Sequence, residues 1–489
     1  MMFKFVYRPL VAALVLAVPA SSALADEATD RIKQLEEMMH EMQQQRIEQD
    51  KQMQLMAEEL KAMREQMPQA KEERDAQDKS KGDGSPVKAS FKDGLIFTDD
   101  SGDWKMQING RVQADYRDWD PSEWKTDSFT IRRARLGATF GFLQDFTVRV
   151  EGEYANDNTG ARGSTALTYG YLDYTRWGGA KIRVGQFKPF FGLERTYSTN
   201  FTDFAELSLA TNNGAIFTST YDRGVMLFGD PLPWLNYNVY YVNGSGQNND
   251  DVNDTKDFGG RVNANLARLA DIKGAVIHIG ASASAGSISF STSTGSTVTQ
   301  STEGSGVQFF SVNNLLAAQN SDRDRWGLEG SLAYGPVKLS SEYIRANFQG
   351  TTSTNNKFDN DIKAWYVDMN WMLTGESWAD TYKSGIYGRM KPKQNFDSKD
   401  GWGAFELGAR YSKFDASDFE SMLTLPTIAN PNTYASEAHA WTLGAKWLLN
   451  PNARIVLNYV HSKFDDPILV SGKLDDVEKA IMLRAQYDF

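Results

Sequence analysis

From residue 103 to the C terminus the chain alternates with period two. Trp104, Met106, Ile108, Gly110, Val112, Ala114 and Tyr116 share one side of an extended segment, and Lys105, Gln107, Asn109, Arg111, Gln113 and Asp115 share the other. A strand with one face in lipid and one in water divides in this way. The division returns in Phe146/Val148/Val150/Tyr154 against Arg149/Glu151/Glu153, and in Phe405/Leu407/Ala409/Tyr411 against Glu406/Arg410. It closes the chain in Ile481/Leu483/Ala485/Tyr487/Phe489 against Arg484/Gln486/Asp488. A soluble sandwich also alternates, so connection lengths must arbitrate. Short turns at Gly141–Gln144, Trp177–Ala180, Asp230–Pro233, Leu269–Ile272, Tyr334–Val337 and Leu449–Asn452 alternate with longer polar stretches. Periplasmic turns and external loops alternate in outer-membrane barrels in the same manner. Residues 375–401 break the rule, because they place a long connection on the short-turn side.

Strands are expected over about 103–117, 128–141, 144–156, 166–177, 180–188, 221–229, 233–243, 256–269, 272–285, 323–335, 337–348, 361–374, 402–415, 436–449, 452–465 and 475–489. That makes sixteen. An even number returns both barrel ends to one side, and sixteen strands leave an aqueous lumen where eight would be filled by side chains. The expected fold is all-β, a sixteen-stranded antiparallel transmembrane β-barrel over residues 103–489.

The preceding residues follow other rules. Lys4 and Arg8 precede the apolar run Leu10–Val18, and Ala23-Leu24-Ala25 offers small residues for cleavage, so residues 1–25 read as a signal peptide with the mature chain beginning at Asp26. Over residues 26–67, Ile32, Leu35, Met39, Met42, Met53, Met56, Leu60, Met63 and Met67 recur at steps of three and four, with Arg46 and Gln49 in the two remaining core places. This spacing predicts an N-terminal helical coiled-coil stalk in the periplasm, which implies self-association; a lone amphipathic helix is the alternative. Residues 68–102 read as a charged, Gly/Ser/Pro-punctuated linker leading into the barrel.

Composition narrows the function. The 489 residues contain no Cys, which excludes a disulfide scaffold and a thiolate metal site. With 27 Phe, 20 Tyr and 12 Trp but only 41% hydrophobic residues, the chain is too rich in rings for disorder and too polar for a helical membrane protein. The formal charge of −11 opposes a dedicated nucleic-acid binder. His40, His278, His439 and His461 show no metal-ligand spacing, and no G-x-S-x-G, Walker or G-x-G-x-x-G context is present. A barrel hydrolase built from spatial neighbours has no sequence support, so neither an enzyme nor a cofactor is expected.

Several runs carry a family resemblance. They are Phe129-Thr130-Ile131-Arg132-Arg133-Ala134-Arg135-Leu136-Gly137, the run from Arg183 to Glu194 (RVGQFKPFFGLE), Asp222-Arg223-Gly224-Val225, Trp371-Met372-Leu373-Thr374-Gly375-Glu376, the run from Ala404 to Ser412 (AFELGARYS), and Arg484-Ala485-Gln486-Tyr487-Asp488-Phe489. In this order they resemble the phosphate-selective porin O/P family. The resemblance implies a homotrimer of sixteen-stranded outer-membrane channels, a third external loop folded inward as a constriction, arginines climbing the lumen wall and lysines near the narrow zone.

Parity selects the residues that would meet a permeant. Arg133 and Arg135 share the hydrophilic face of their strand, whereas Arg132 falls with Leu136 and Phe140 and is expected to snorkel near a rim. Further lumen candidates are Lys105, Arg111, Arg149, Lys181, Arg183, Arg261 and Arg410. A guanidinium suits phosphate because its planar donors bind two oxygens at once. Each could equally belong to a charge ladder with an acid on the next strand, since Asp115, Glu151, Glu153, Asp173, Glu329, Glu342 and Glu406 share the lumenal parity. The stretch Lys188–Thr220 carries seven aromatic and proline positions from Pro189 to Phe217 and is the constriction candidate, presenting Lys188, Glu194, Arg195, Asp203 and Glu206 to the pore; a girdle extension or subunit contact is the alternative. Residues 286–322, rich in Ser, Thr and Gly, read as an external tip. The expected function is passive diffusion of small hydrophilic solutes with a preference for anions such as phosphate. A general or cation-leaning pore, and a structural tether acting through the stalk, are the competing readings.

Overall fold

The computed structural model describes residues 44, 51, 54–55, 58, 87–122, 125–155, 165–217, 219–251, 254–288, 296–315, 321–351, 357–420 and 434–489. The chain divides into two units, Met1–Gly84 and Ser85–Phe489. In the first, Gln44, Lys51, Gln54, Leu55 and Glu58 are the residues described, each helical and exposed. The expected coiled-coil stalk is corrected here. Among the described residues there is no long helix and no buried heptad seam, and the first element of continuous chain is a strand at Lys88. A heptad pattern makes a seam only where a second helix buries it. The remaining stalk positions, the expected signal peptide and most of the linker lie outside the described residues.

The second unit opens with a hairpin, β1 (Lys88–Phe91) and β2 (Leu95–Thr98), where β2 pairs with the start of β3 (Leu95 opposite Ile108). The barrel runs through β3 (Trp104–Asp120), β4 (Ser128–Phe142), β5 (Phe146–Glu153), β6 (Ala166–Trp177), β7 (Ala180–Phe187), β8 (Asp222–Leu232), β9 (Leu235–Val242), β10 (Asp257–Asn265) and β11 (Ala275–Ile288). An inner hairpin, β12 (Ser296–Ser301) and β13 (Gln308–Leu315), interrupts it. The wall resumes with β14 (Ser321–Tyr334), β15 (Val337–Thr351) and β16 (Lys357–Met372), and after the two-residue strands β17 (Tyr382–Lys383) and β18 (Ile386–Tyr387) ends with β19 (Ala404–Asp415), β20 (Glu437–Leu448), β21 (Ala453–Val470) and β22 (Lys473–Asp488). Among the described residues sixteen antiparallel strands form the wall, and β22 closes on β3 with Arg484 opposite Asp115 and Phe489 exchanging 2.9 Å backbone bonds with Gly110. The outward positions of β22 and β3, such as Ile481, Leu483 and Val112, are exposed apolar residues, as a lipid belt requires. The expected strand over 256–269 stops at Asn265, whose side chain caps a single helical turn, α1 (Leu266–Leu269).

The lumen is not empty. Residues 188–221 fold inward after β7, and the inner hairpin β12–β13 folds in beside them, contrary to the external tip expected over 286–322. Phe191, Leu209 and Phe217 of the inner loop pack with Val298, Phe309, Phe310 and Val312 of the hairpin, and both meet Ile344, Phe348, Phe414 and Phe464 from the wall. The cause lies in β15: Lys338, Ser340 and Glu342 face inward near its turn end, but Ile344, Ala346 and Phe348 face inward near its loop end. The inner face changes from polar to apolar at Ile344 and supplies the patch that the hairpin covers. The awkward stretch 375–401 also turns into the barrel at its turn side. There Tyr387 Oη meets Ser331 Oγ at 2.9 Å, and Arg261 donates to Gly385 O at 2.8 Å.

Candidate functional site: a basic pore pinched by an inner loop

The inner loop is tied across the lumen by polar bonds to many strands. Leu193 N and Glu194 N donate to Glu342 of β15 at 2.8 and 2.6 Å, and Ala205 N donates to Asn458 of β21 at 2.7 Å. Arg454 of β21 and Gln486 of β22 donate to Asn200 O at 2.9 and 3.1 Å, and Gln113 of β3 donates to Thr199 O at 3.1 Å. Backbone groups that would otherwise be buried unpaired are satisfied by the wall, so the loop has a fixed path. The Ser198–Asn200 segment separates two polar cavities. The larger, about 670 Å³ on the loop side, is lined by Arg117, Lys125, Arg132, Arg133, Lys188 and Arg195, with Glu194, Glu206 and Glu303 as its carboxylates. The smaller, about 280 Å³ on the turn side, is lined by Arg111, Arg135, Arg149 and Arg389, with Asp93 and Glu151.

Six of the lumen candidates are ion-paired. Glu151 collects Arg149 at 2.7 Å, Arg135 at 3.5 Å and Arg111 at 3.6 Å, and Arg135 also meets Glu153 at 2.6 Å. Arg183 pairs with Asp173 at 2.7 Å and lies 3.8 Å from the Tyr171 ring centre. Arg261 pairs with Glu329 at 2.8 Å, and Arg410 holds Glu303 at 2.6 Å and Glu194 at 2.9 Å. Lys105 is exposed and Lys181 half-buried, and neither lines the two cavities. Arg133 differs from the six paired arginines: it lines the larger cavity, donates to Gln113 Oε1 at 2.8 Å and has no carboxylate partner among the described residues.

All five loop candidates are buried in the barrel. Lys188 Nζ donates to the carbonyls of Arg195 and Tyr197 at 2.9 and 2.7 Å, and Arg195 donates to Thr211 O and Asn213 Oδ1 at 3.1 Å each. Neither has a carboxylate partner among the described residues. Burial, then the like charges of Arg195 and Arg135, holds the Lys188 ammonium well below its ordinary range, and burial with Arg325 nearby pushes Arg195 down to about 9. Glu194 is consumed by Arg410, Ser208 and Thr211, Asp203 by Lys338, and Glu206 by arginines of the wall.

Arg132 corrects the parity argument. Gln113 lies opposite Arg133 while Ala114 lies opposite Ile131, so Arg132 is the extra residue of a β-bulge in β4. It turns into the lumen beside Arg133 and donates from Nε to Glu206 Oε1 at 2.8 Å. Sequence reasoning also missed Arg117, whose parity with Arg111 offered a signal, and Lys125, which sits on a connection with no period. Glu303 was missed for the same reason, since it rides on the inner hairpin and accepts from Arg410, Ser412 and Thr442. Among the described residues no group of three or more metal-ligating side chains could hold a metal ion.

The family model described as phosphate-selective porin O and P matches residues 106–489. Porin O of Pseudomonas aeruginosa is 25% identical over 429 residues, covering 83% of this chain and 93% of that protein. Among solved structures, an anion-selective porin from Comamonas acidovorans aligns with a TM-score of 0.49 at 13% identity, over 79% of this chain and 100% of that one. The outer membrane channel DcaP of Acinetobacter baumannii aligns with a TM-score of 0.49 at 14% identity, over 80% and 99%. The matched span begins inside β3 and runs to Phe489, so it takes in the whole barrel together with both inner loops: the chain belongs to the phosphate-selective porin O and P family of outer-membrane porins.

Proposed function

We propose that this outer-membrane porin passes small hydrophilic solutes by diffusion and favours anions, phosphate among them. One observation carries the reading. Lys125, Arg133, Lys188 and Arg195 line a single cavity, and none of the four has a carboxylate partner among the described residues. An anion entering there exchanges hydration for charged donors, and it offsets the burial and, after it, the like-charge repulsion that depress Lys188 and Arg195. Three acids that face the barrel interior are occupied elsewhere. Glu342 accepts from the loop backbone and Tyr366, Asp203 from Lys338, and Glu406 from Lys446, so they are spent in anchoring and lie off both cavities. Weak, repeated sites suit flux better than one tight one, and the paired Arg111, Arg135 and Arg149 of the smaller cavity extend the basic wall beyond the constriction.

The test is a planar-bilayer recording of the purified protein. A KCl gradient should give a reversal potential displaced toward the chloride equilibrium value, and added phosphate should reduce the chloride current. Cation preference with no phosphate block would reject the anion reading in favour of a general pore. The homotrimer implied by the family resemblance belongs to the same reading. Native mass measurement in detergent should show three copies, and a conducting monomer would remove that part.

A further inference from the structure

The larger cavity contains a carboxylate in a place where a permeant anion would be expected. Glu206 leaves the inner loop and meets three guanidiniums from three different strands. Arg132 of β4 donates from Nε to Oε1 at 2.8 Å and from Nη2 to Oε2 at 3.2 Å, Arg484 of β22 donates from Nη2 to Oε1 at 3.1 Å, and Arg117 of β3 donates from Nη2 to Oε1. Asp115 shares two of these arginines, with Arg484 Nε at 2.7 Å and Arg117 Nε at 3.1 Å, so three cations face two carboxylates, and Arg133, with no carboxylate partner among the described residues, lines the same cavity. Burial raises the Glu206 carboxyl, yet Arg132, Arg117 and Arg484 outweigh it and hold it well below the usual range, so it stays ionised.

A carboxylate that accepts from several guanidiniums offers them the geometry of an oxyanion edge. We propose that Glu206 is a resident anion, which a permeating oxyanion must displace from Arg117, Arg132 and Arg484, and that this competition sets how tightly the pore holds phosphate. The inference rests on the anion-favouring reading above. Without a competitor, three convergent guanidiniums beside Arg133 would form a site too tight to release its ligand at a useful rate. Glu206 lowers the net gain on binding and refills the arginines when the ligand leaves, its side chain turning on a loop whose backbone the wall holds in place.

The test compares wild type and Glu206→Gln in bilayers, titrating inorganic phosphate against chloride current. The amide keeps the size and one acceptor of the carboxylate but removes its charge. Competition predicts that the half-blocking phosphate concentration falls about tenfold, a change of about 1.4 kcal/mol, while maximal phosphate current drops. A purely structural anchor predicts the opposite: the loosened loop raises unitary conductance, and block weakens or stays the same, which would overturn the proposal. If the amide variant does not assemble, Glu206→Asp carries the same test, because its shorter reach should still tighten block severalfold, and unchanged or weaker block again overturns it. Cation selectivity in the wild type would remove the anion reading and this inference together, whereas an anion-selective wild type with no tightening removes the inference alone.

Discussion

Replacing Arg133 by Ala removes a cation that no carboxylate among the described residues pairs. The larger cavity carries six cationic and three carboxylate side chains, a formal excess of three, and the variant reduces the excess to two. For an anion about 8 Å from the lost charge, Coulomb's law gives about 0.5 kcal/mol at the dielectric of water and about 2 kcal/mol at an effective value near 20. Anion partitioning should therefore fall roughly two- to thirtyfold, toward the smaller end at high salt because the Debye length at 0.15 M is only about 8 Å. The barrel should tolerate the change, since the side chain's bond is to Gln113, which keeps its own bonds to Gln486 and Thr199 O. Arg132→Ala is the informative companion. Both variants remove one positive charge from the lumen and should move the reversal potential in the same direction. Phosphate block should weaken further in Arg133→Ala, because one donor of that side chain goes to a neutral amide and none to a carboxylate among the described residues, which leaves the others for a ligand, and a charge-assisted bond contributes about 1.5–3 kcal/mol. If Arg132→Ala leaves the reversal potential at the wild-type value, Arg132 points to the rim and the bulge in β4 is wrong. If Arg133→Ala leaves phosphate block untouched, the uncompensated cations do not recognise anions.

Two further predictions address the architecture. Glu303→Ala deprives the buried Arg410 of one of its two carboxylates and Ser412 and Thr442 of an acceptor. Breaking a buried pair from one side costs about 3–5 kcal/mol, so the inner hairpin should be held less firmly and unitary conductance should rise with more gating noise; a current trace identical to wild type would show that Phe309 and Phe310 alone seat it. Gly185→Ala places a Cβ 2.2 Å from Gly170 O at φ +128°, where the β6–β7 and β7–β8 ladders meet. Strain of about 1–3 kcal/mol is expected, and the barrel should convert to its unfolded form in SDS gels at a lower temperature than wild type, with an unchanged transition counting against the close approach.

The wall was legible because lipid imposes the same demand on every strand. Val112, Leu483 and Tyr487 must face hydrocarbon whatever the lumen contains, so period two survives, and Phe489 closes it against Gly110. The interior obeys no such rule. In β15 the inward set changes from Lys338, Ser340 and Glu342 to Ile344, Ala346 and Phe348, while the outward set passes to Arg345 and Asn347, which needs a partner inside. That partner is a hairpin whose Ser/Thr-rich first strand leads to a second that carries Phe309 and Phe310, two rings diluted by a composition that reads as solvent-facing. The N-terminal heptads misled for the opposite reason, since a repeat within one chain says nothing of a second helix to bury it.

The candidate site divides along the same line, because parity assigns a face and register assigns a partner. Arg133 and Arg135 are two residues apart on one face of β4, yet among the described residues Arg135 has a carboxylate partner and Arg133 has none. Arg135 lies directly opposite Glu153, the last residue of β5, and the pairing ends with one more backbone bond, Tyr154 N to Ala134 O at 2.7 Å. Arg133 stands one step past that rung, facing β3, where its opposite number is the neutral Gln113. The bulge then brings Arg132 in beside it, and among the described residues the acid that bonds Arg132 comes from the inner loop as Glu206, already shared with Arg117 and Arg484. A β5 longer by two residues, with an acid at its new end, would neutralise Arg133 and leave the cavity's charge excess to Lys125 and the loop cations. The anion site thus follows from where one strand stops, which the alternation of side chains along it does not encode.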